Sequence, residues 1–467
     1  MSRIVGKASA LGALAGVALG LSACVSDGPV PRLSAPTGAY ATLPLPPMRL
    51  FGPTPVTPAS RSNADMAQDF MDLSFRLETG RPMDAFSRFE GPISVAVAGS
   101  APPTALRDLD ALLSRLRTEA GLPVYHTGGD AAITVTFLPV SILREAAPGA
   151  ACFAAPRIST WAGYRDATGA TLDWTDYRLR QRVAIFIPDD APPQEVRDCL
   201  NEELAQAIGP LDDLYRLPDS VFNDDNVNSV LTGFDMLMLR VTYDPDLRPG
   251  MSAAEVAARL PAILARLNPR GEHITPAPVP DTPASYGAAI ARALGPGGTG
   301  GRLAAALRAV AIAAPWNDHR TGFALLAAGR LGGPGERAAA LRNFQSADAI
   351  FAARGLPLYQ SHSRLQLSLM ALGVGQFAEA ERLAASGIPA ARQGQNAALM
   401  AGLMFVRSEA LERLGRGAEA AAVRTEGLGW ARYGIGADAA VRRRLQSIHE
   451  LALTGAGHPP AVLAAAD

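Results

Sequence analysis

The sequence predicts two folded parts of different class: an α+β domain, built as a small mixed sheet with packed helices, and an all-α domain of helical repeats. Three observations predict this. Helix-period and strand-period segments alternate between residues 63 and 269. Residues 301–455 carry helical patterning almost throughout, rich in Ala, Leu and Arg, and they repeat. Two Pro-rich stretches, 25–62 and 270–300, read as linkers.

In the first part, "ADMAQDFMDLSFRLE" is an amphipathic helix running to residue 78, and "ISVAVAG" (93–99) alternates as a strand. Residues 105–121 form a helix that Gly121 ends. "AITVTFLPV" (132–140) is a β-branched strand, and "QRVAIFIP" (181–188) is another, expected at the sheet edge. Residues 192–209 form a helix opened by prolines and closed at Gly209, and helices follow at 229–243 and 252–268. In the second part, Leu-Gly pairs at 331–332, 372–373 and 414–415 recur every 41–42 residues, each in a turn between helical stretches. The pattern resembles tetratricopeptide-type hairpins with a lengthened period. That resemblance implies a stack with a concave face. Either the face holds a peptide or protein partner, or the stack packs only on its own first domain.

Residues 1–24, "MSRIVGKASALGALAGVALGLSAC", place Arg3 and Lys7 ahead of a short apolar run, the layout of a secretory signal. Leu21-Ser22-Ala23-Cys24 resembles a bacterial lipobox. This implies a lipid on Cys24 and an envelope protein facing the periplasm; Val25 and Ser26 after the Cys go with the outer membrane. The alternative is an ordinary signal peptide. Residues 25–62 hold nine prolines and are expected to be an extended, mostly disordered tether, and 456–467 a C-terminal tail. Loss of Arg3 and Lys7 takes the formal net charge from −1 to −3, and no basic run tracks a nucleic acid. Cys152 and Cys199 are expected to pair in an oxidising compartment, the alternative being two buried thiols.

The stretch with most chemistry is 199–213, "CLNEELAQAIGPLDD". Zincin proteases place His, Glu and His at i, i+1 and i+4 of a helix so that both imidazoles meet one zinc ion and the Glu polarises its water. In that register this chain has Glu202, Glu203 and Gln206, then Gly209, with Asp212 at the third ligand position and Asp213 beside it. The spacing fits and the ligand chemistry does not, because zinc prefers His, Cys or carboxylate to a Gln amide. No metal and no cofactor are therefore expected; Glu202 and Asp212 would suit calcium or magnesium better than zinc. Further acids follow at Asp219, Asp224 and Asp225, expected mainly to turn and cap the backbone. If the helix face is inward, its acids need partners, and Arg178, Arg180 or Arg182 on the preceding strand are the expected ones. Trp161, Tyr164, Trp174 and Tyr177 form either a hairpin packing its aromatics into a domain edge or a carbohydrate-stacking surface.

The first part as a whole is similar to a family of secreted alphaproteobacterial proteins of unknown function. The likeness rests on "CLNEELAQAIGPLDD", "LPDSVFNDDN" and "LTGFDMLMLRVTYDPDLRPGMS". It brings no activity with it. A more distant, zincin-like resemblance rests on the helix and the order of elements. The expectation is a lipid-anchored, non-enzymatic binding or scaffold protein that engages a protein or peptide through its repeats. The alternative is a divergent hydrolase of peptide or cell-wall material with Glu203 as general base.

Overall fold

The alternating residues of "ISVAVAG" and the β-branched run "ITVTFL" become neighbouring strands of one five-stranded sheet. A computed structural model describes residues 40–456; the lipobox, Cys24 and the tail beyond 456 lie outside them. In chain order the first part is α1 (Asn63–Phe75), β1 (Arg88–Phe89), β2 (Ile93–Gly99), α2 (Ala105–Thr118), β3 (Val124–His126), β4 (Ile133–Leu138), α3 (Val140–Ala146), β5 (Phe153–Pro156), α4 (Trp161–Asp166), β6 (Leu179–Arg180), β7 (Val183–Pro188), α5 (Pro193–Ile208), α6 (Gly233–Thr242) and α7 (Ala253–Leu267). It is α+β, as expected.

The sheet order is β3-β2-β4-β7-β5, with β5 alone antiparallel. The expectation that 181–188 is an edge strand is corrected: β7 is interior, and β5 is the edge beside it. Every residue of "VAIFIP" is buried, as an unbroken apolar strand covered on both faces must be. The edge strand "FAAP" carries too short and too Ala-rich a run to show a period. β1 and β6 form a separate parallel pair. Helix α5 packs on β7, β5 and α2, and its N-terminal half is bonded to the loop before β5 through the disulfide Cys152–Cys199.

The second part is α8 (Ala284–Leu294), α9 (Thr299–Ala313), α10 (His319–Leu331), α11 (Arg337–Ala353), α12 (Pro357–Leu372), α13 (Phe377–Gln393), α14 (Ala397–Arg413), α15 (Gly417–Gly434) and α16 (Asp438–Ala456). Helix α8 lies inside the stretch read as a linker. Its Tyr286, Ala289 and Ile290 are buried, a short Ala-rich helix hidden between Pro and Gly runs. Helices α11, α13 and α15 start forty residues apart, and the Leu-Gly pairs close α10, α12 and α14.

Residues 40–62 are not a free tether. Leu43, Leu45, Met48 and Phe51 pack on α14–α16, with Phe51 4.4 Å from the Trp430 ring. Proline-rich backbone makes no hydrogen bonds of its own. Here its carbonyls are taken by arginines, Arg432 Nη1 to Pro46 O at 3.0 Å and Arg442 Nε to Leu43 O at 3.0 Å. The strap then crosses the start of α6, where a Cβ on Gly233 would sit 1.8 Å from Thr57 O. The inner helices meet the α/β part end-on. His319 Nε2 lies 2.6 Å from Tyr215 O, Tyr359 donates to Asp225 Oδ2 at 2.6 Å, and Ala398 N donates to Gln194 Oε1 at 2.9 Å. Of the two fates foreseen for the repeats, docking on their own first domain accounts for these N-terminal ends.

Candidate functional site

Helix α5 brings its acids to the sheet edge because Pro193 starts it, the disulfide holds its first half, and Arg180 closes it. Buried Arg180 donates to the carbonyls of Gln206 (2.9 Å), Ala207 (2.8 Å) and Gly209 (2.7 Å), a cation on the negative end of the helix. This corrects the expected arginine–carboxylate network. Arg180 binds main chain, Arg182 pairs with Asp130 at 2.6 Å on the surface, and Arg178 makes no ion pair among the described residues. The reason is topological: Arg180 belongs to the β1–β6 ribbon near the C-terminal end of α5, away from the carboxylates.

The carboxyls themselves gather. Glu202, Glu203, Gln206 and Asp213 line a constriction of about 50 Å³, joined by Glu78 from the turn after α1 and Asp224 from the loop before α6. Gln206 Nε2 donates to Asp213 Oδ2 at 2.7 Å. Asp212 turns away, accepting from the Asp213 amide at 3.0 Å, and lines only the adjoining cleft of about 430 Å³. Asp213, not Asp212, is thus the acid that faces Gln206. Asp219 and Asp225 do serve structure: Asp219 pairs with Arg61 at 3.0 Å, and Asp225 takes the Val227 amide at 3.1 Å.

Burial governs the electrostatics, since desolvation disfavours the charged form and like charges add to it. Glu203, 4 % exposed, is pushed up to about 8 by burial and then by Glu78, against the pull of the Ala154 amide. Asp212 is pushed up to about 7 by burial and Glu78. Glu202, Asp213 and Asp224 are raised for the same reasons, burial first and neighbouring acids second. Glu78 opens to the cleft yet is closely ringed by protein, which raises it too, and its carboxyl lies within hydrogen-bonding reach of Asp213. No basic side chain lines the constriction.

Glu78 is the acid that sequence reading missed. Helical periodicity carried α1 to residue 78, but the helix ends at Phe75. A turn follows, closed by Leu77 N to Arg81 O at 2.9 Å with Gly80 at φ +77°, and it swings Glu78 toward α5. Asp224 was legible as an acid but not as part of the site, because only the fold places it beside Glu202.

The aromatics do not form a hairpin. Trp161 and Tyr164 stack 5.2 Å apart on α4, against Phe186, while Trp174 and Tyr177 are buried. Trp174 lines the constriction, and the Tyr177 hydroxyl accepts from the Gln181 and Arg182 amides at 2.7 and 2.8 Å. Among the described residues no three His, Cys, Asp or Glu side chains converge as a metal ion requires, and no helix is long and apolar enough to cross a membrane.

No curated protein matches the chain. One family model does, over residues 63–262, the stretch that carries the sheet, α5 and every acid of the constriction. That stretch is similar to the family described as "Protein of unknown function (DUF2927)".

Proposed function

We propose that this chain is a lipid-anchored protein of the bacterial envelope that binds a positively charged ligand in the carboxyl-lined cleft of a zincin-like domain. Tetratricopeptide-like repeats serve as its scaffold. One observation carries the reading: five carboxyls face one constriction and no cation answers them. Unpaired buried charge is costly, and such groups concentrate at functional sites. The zincin likeness is supported by an antiparallel edge strand lying beside the helix that bears Glu202, Glu203 and Gln206. The repeat likeness is supported by the forty-residue spacing of α11, α13 and α15. Docking of the N-terminal ends of α10, α12 and α14 on the α/β part supports a scaffold role for the repeats.

The test is thermal unfolding of the full chain with cations of several kinds, ammonium, guanidinium and divalent metal. At least one is expected to raise the midpoint of the wild type and to lose that effect in Glu202→Gln and Asp213→Asn. A midpoint that no cation moves refutes the reading. For the anchor, Cys24→Ser is expected to leave unprocessed precursor, and normal maturation refutes it.

A hydrolase is the second reading, favoured by the adjacent carboxyls of Glu78 and Asp213, one of which could donate while the other accepts. Glu203, the general base that the helix spacing suggests, is pushed up to about 8 by burial and by Glu78, so it is only partly ionised at neutral pH. Hydrolysis of peptide or glycan that survives Glu203→Gln but not Asp213→Asn supports this reading.

A further inference from the structure

Three basic side chains meet inside the helical repeats: Arg330 near the end of α10, His362 in the second turn of α12 and Arg444 in α16. Helix α12 packs against both α10 and α16. All three helices start on the α/β part, where His319 reaches Tyr215, Tyr359 reaches Asp225, and Gly436, just before α16, lies against Pro192. They therefore run in the same sense. Contacts fix their alignment: the rings of His319 and Tyr359 are 5.8 Å apart, and a Cβ on Gly373 would sit 2.8 Å from Leu451 Cδ1. Arg330 stands about three turns after His319, His362 about three turns before Gly373, and Arg444 about two turns before Leu451, so each lies on the face that makes these contacts. Helical side chains lean toward the helix N-terminus, which sends Arg330 and Arg444 back along α12 toward His362.

The chain gives these groups no partner. Arg444 is 6 % exposed and His362 9 % exposed, and Arg330 is half-buried. The Nε atoms of Arg330 and Arg444 and the Nε2 of His362 are buried without a hydrogen bond, and among the described residues neither arginine has an ion-pair partner. Burial pushes the His362 imidazole down to about 3 and the Arg444 guanidinium down to about 10; the second cause in both is the positive charge of Arg330, and no carboxyl opposes it. Other arginines of the repeats are matched, Arg320 by Asp318 at 2.7 Å and Arg407 by Glu381 at 2.9 Å. A buried guanidinium without a counter-charge is costly.

The charge selects the ligand. At neutral pH both guanidiniums are charged and the imidazole is neutral, a net charge of two that a monoanion would leave half uncompensated. Guanidinium forks match the oxygens of a phosphate, and a neutral imidazole can add an Nε2–H donor. We propose that Arg330, His362 and Arg444 form an anion site that takes a tetrahedral dianion of phosphate type, either inorganic phosphate or the phosphate of a small monoester. The site lies in the repeats, and it stands or falls separately from the cation-binding reading above.

The experiment is isothermal titration of the full chain in detergent with phosphate, glycerol 3-phosphate, sulfate and acetate, at constant ionic strength and at a mildly alkaline pH where phosphate is a dianion. Phosphate and sulfate are expected to bind alike, because the site offers donors and charge, and acetate about tenfold more weakly. Glycerol 3-phosphate binding tighter than phosphate identifies a monoester as the ligand, and weaker binding identifies the free ion. Arg330→Met and Arg444→Met should each weaken phosphate about tenfold. Arg416→Gln, at an exposed arginine paired with Glu419, should leave it unchanged. In phosphate-free buffer Arg444→Met should melt no lower than the wild type, since it removes an unpaired buried charge. Acetate binding as tightly as phosphate overturns the dianion assignment. No heat with phosphate or sulfate, or equal weakening by Arg416→Gln, overturns the site. An Arg444→Met variant that melts lower without phosphate gives that arginine a structural role and overturns the proposal as well.

Discussion

Asp69 and Asp213 are both buried acids of the α/β domain, and the chain treats them oppositely. Asp69 accepts from Arg216 Nη1 at 2.6 Å and from Arg61, and Arg216 reaches on to Asp72 at 2.5 Å. Burial still lifts the Asp69 carboxyl, but both arginines pull it back. Asp213 has no cation: it accepts from the neutral amide of Gln206 and lies against the Glu78 carboxyl, and Glu78, Glu202 and Asp224 push it further up. A buried acid that serves architecture is given partners by the same chain, two arginines for Asp69 and the Tyr359 hydroxyl and Val227 amide for Asp225. An acid left among its own kind has no such architectural role here, and its partner is to be sought outside the chain.

The comparison breaks most visibly at the paired acid. Arg216→Ala strips the main partner from Asp69 and Asp72 and is expected to cost about 3–5 kcal/mol, read from urea unfolding. A loss below about 1 kcal/mol would mean that Arg61 alone sustains Asp69. Next comes the clamp on α5: reduction of Cys152–Cys199 should cost about 2–4 kcal/mol and lower the denaturation midpoint. An unchanged midpoint would show that packing on β7 and α2 suffices.

The unpaired acids should respond with the opposite sign. Glu203 titrates near 8 when folded and near its ordinary value, about 4.3, when unfolded. The folded state holds the extra proton, so the stability it contributes is complete below pH about 4 and is lost as pH climbs to about 8. Glu203→Gln removes that loss. The variant should therefore gain on the wild type as pH rises, by an amount on the order of 1–3 kcal/mol at pH 8. A variant that is less stable at pH 8 would place a cation of the chain beside Glu203 after all. Smallest is the seam: Tyr359→Phe deletes the hydrogen bond to Asp225 and should cost about 1 kcal/mol, with hydrogen exchange rising at the start of α12.

Much of this was legible in the sequence. The long periodic elements, β2, β4, β7, α2, α5 and α7, stand within a few residues of where their patterns place them. The disulfide followed from two cysteines in a chain whose first residues read as a secretory signal. Glu202, Glu203 and Gln206 sit together because helical spacing alone puts them near one another. What was not legible was each feature that depends on where a turn sends the chain. Glu78 arrives through a left-handed Gly80, and Arg180 is drawn to a helix terminus that no local pattern reveals. Residues 40–62 look like a solvated tether until the helices that bind them are in place.

The sequence by itself determined the class of the two parts, the helix that carries the acids and the bond that pins it, because these rest on periodicity and short-range chemistry. Tertiary structure alone decided which acids share a site and which have a cation. Charge pairing is a matter of a few ångströms between segments far apart in the chain, and only packing sets those distances.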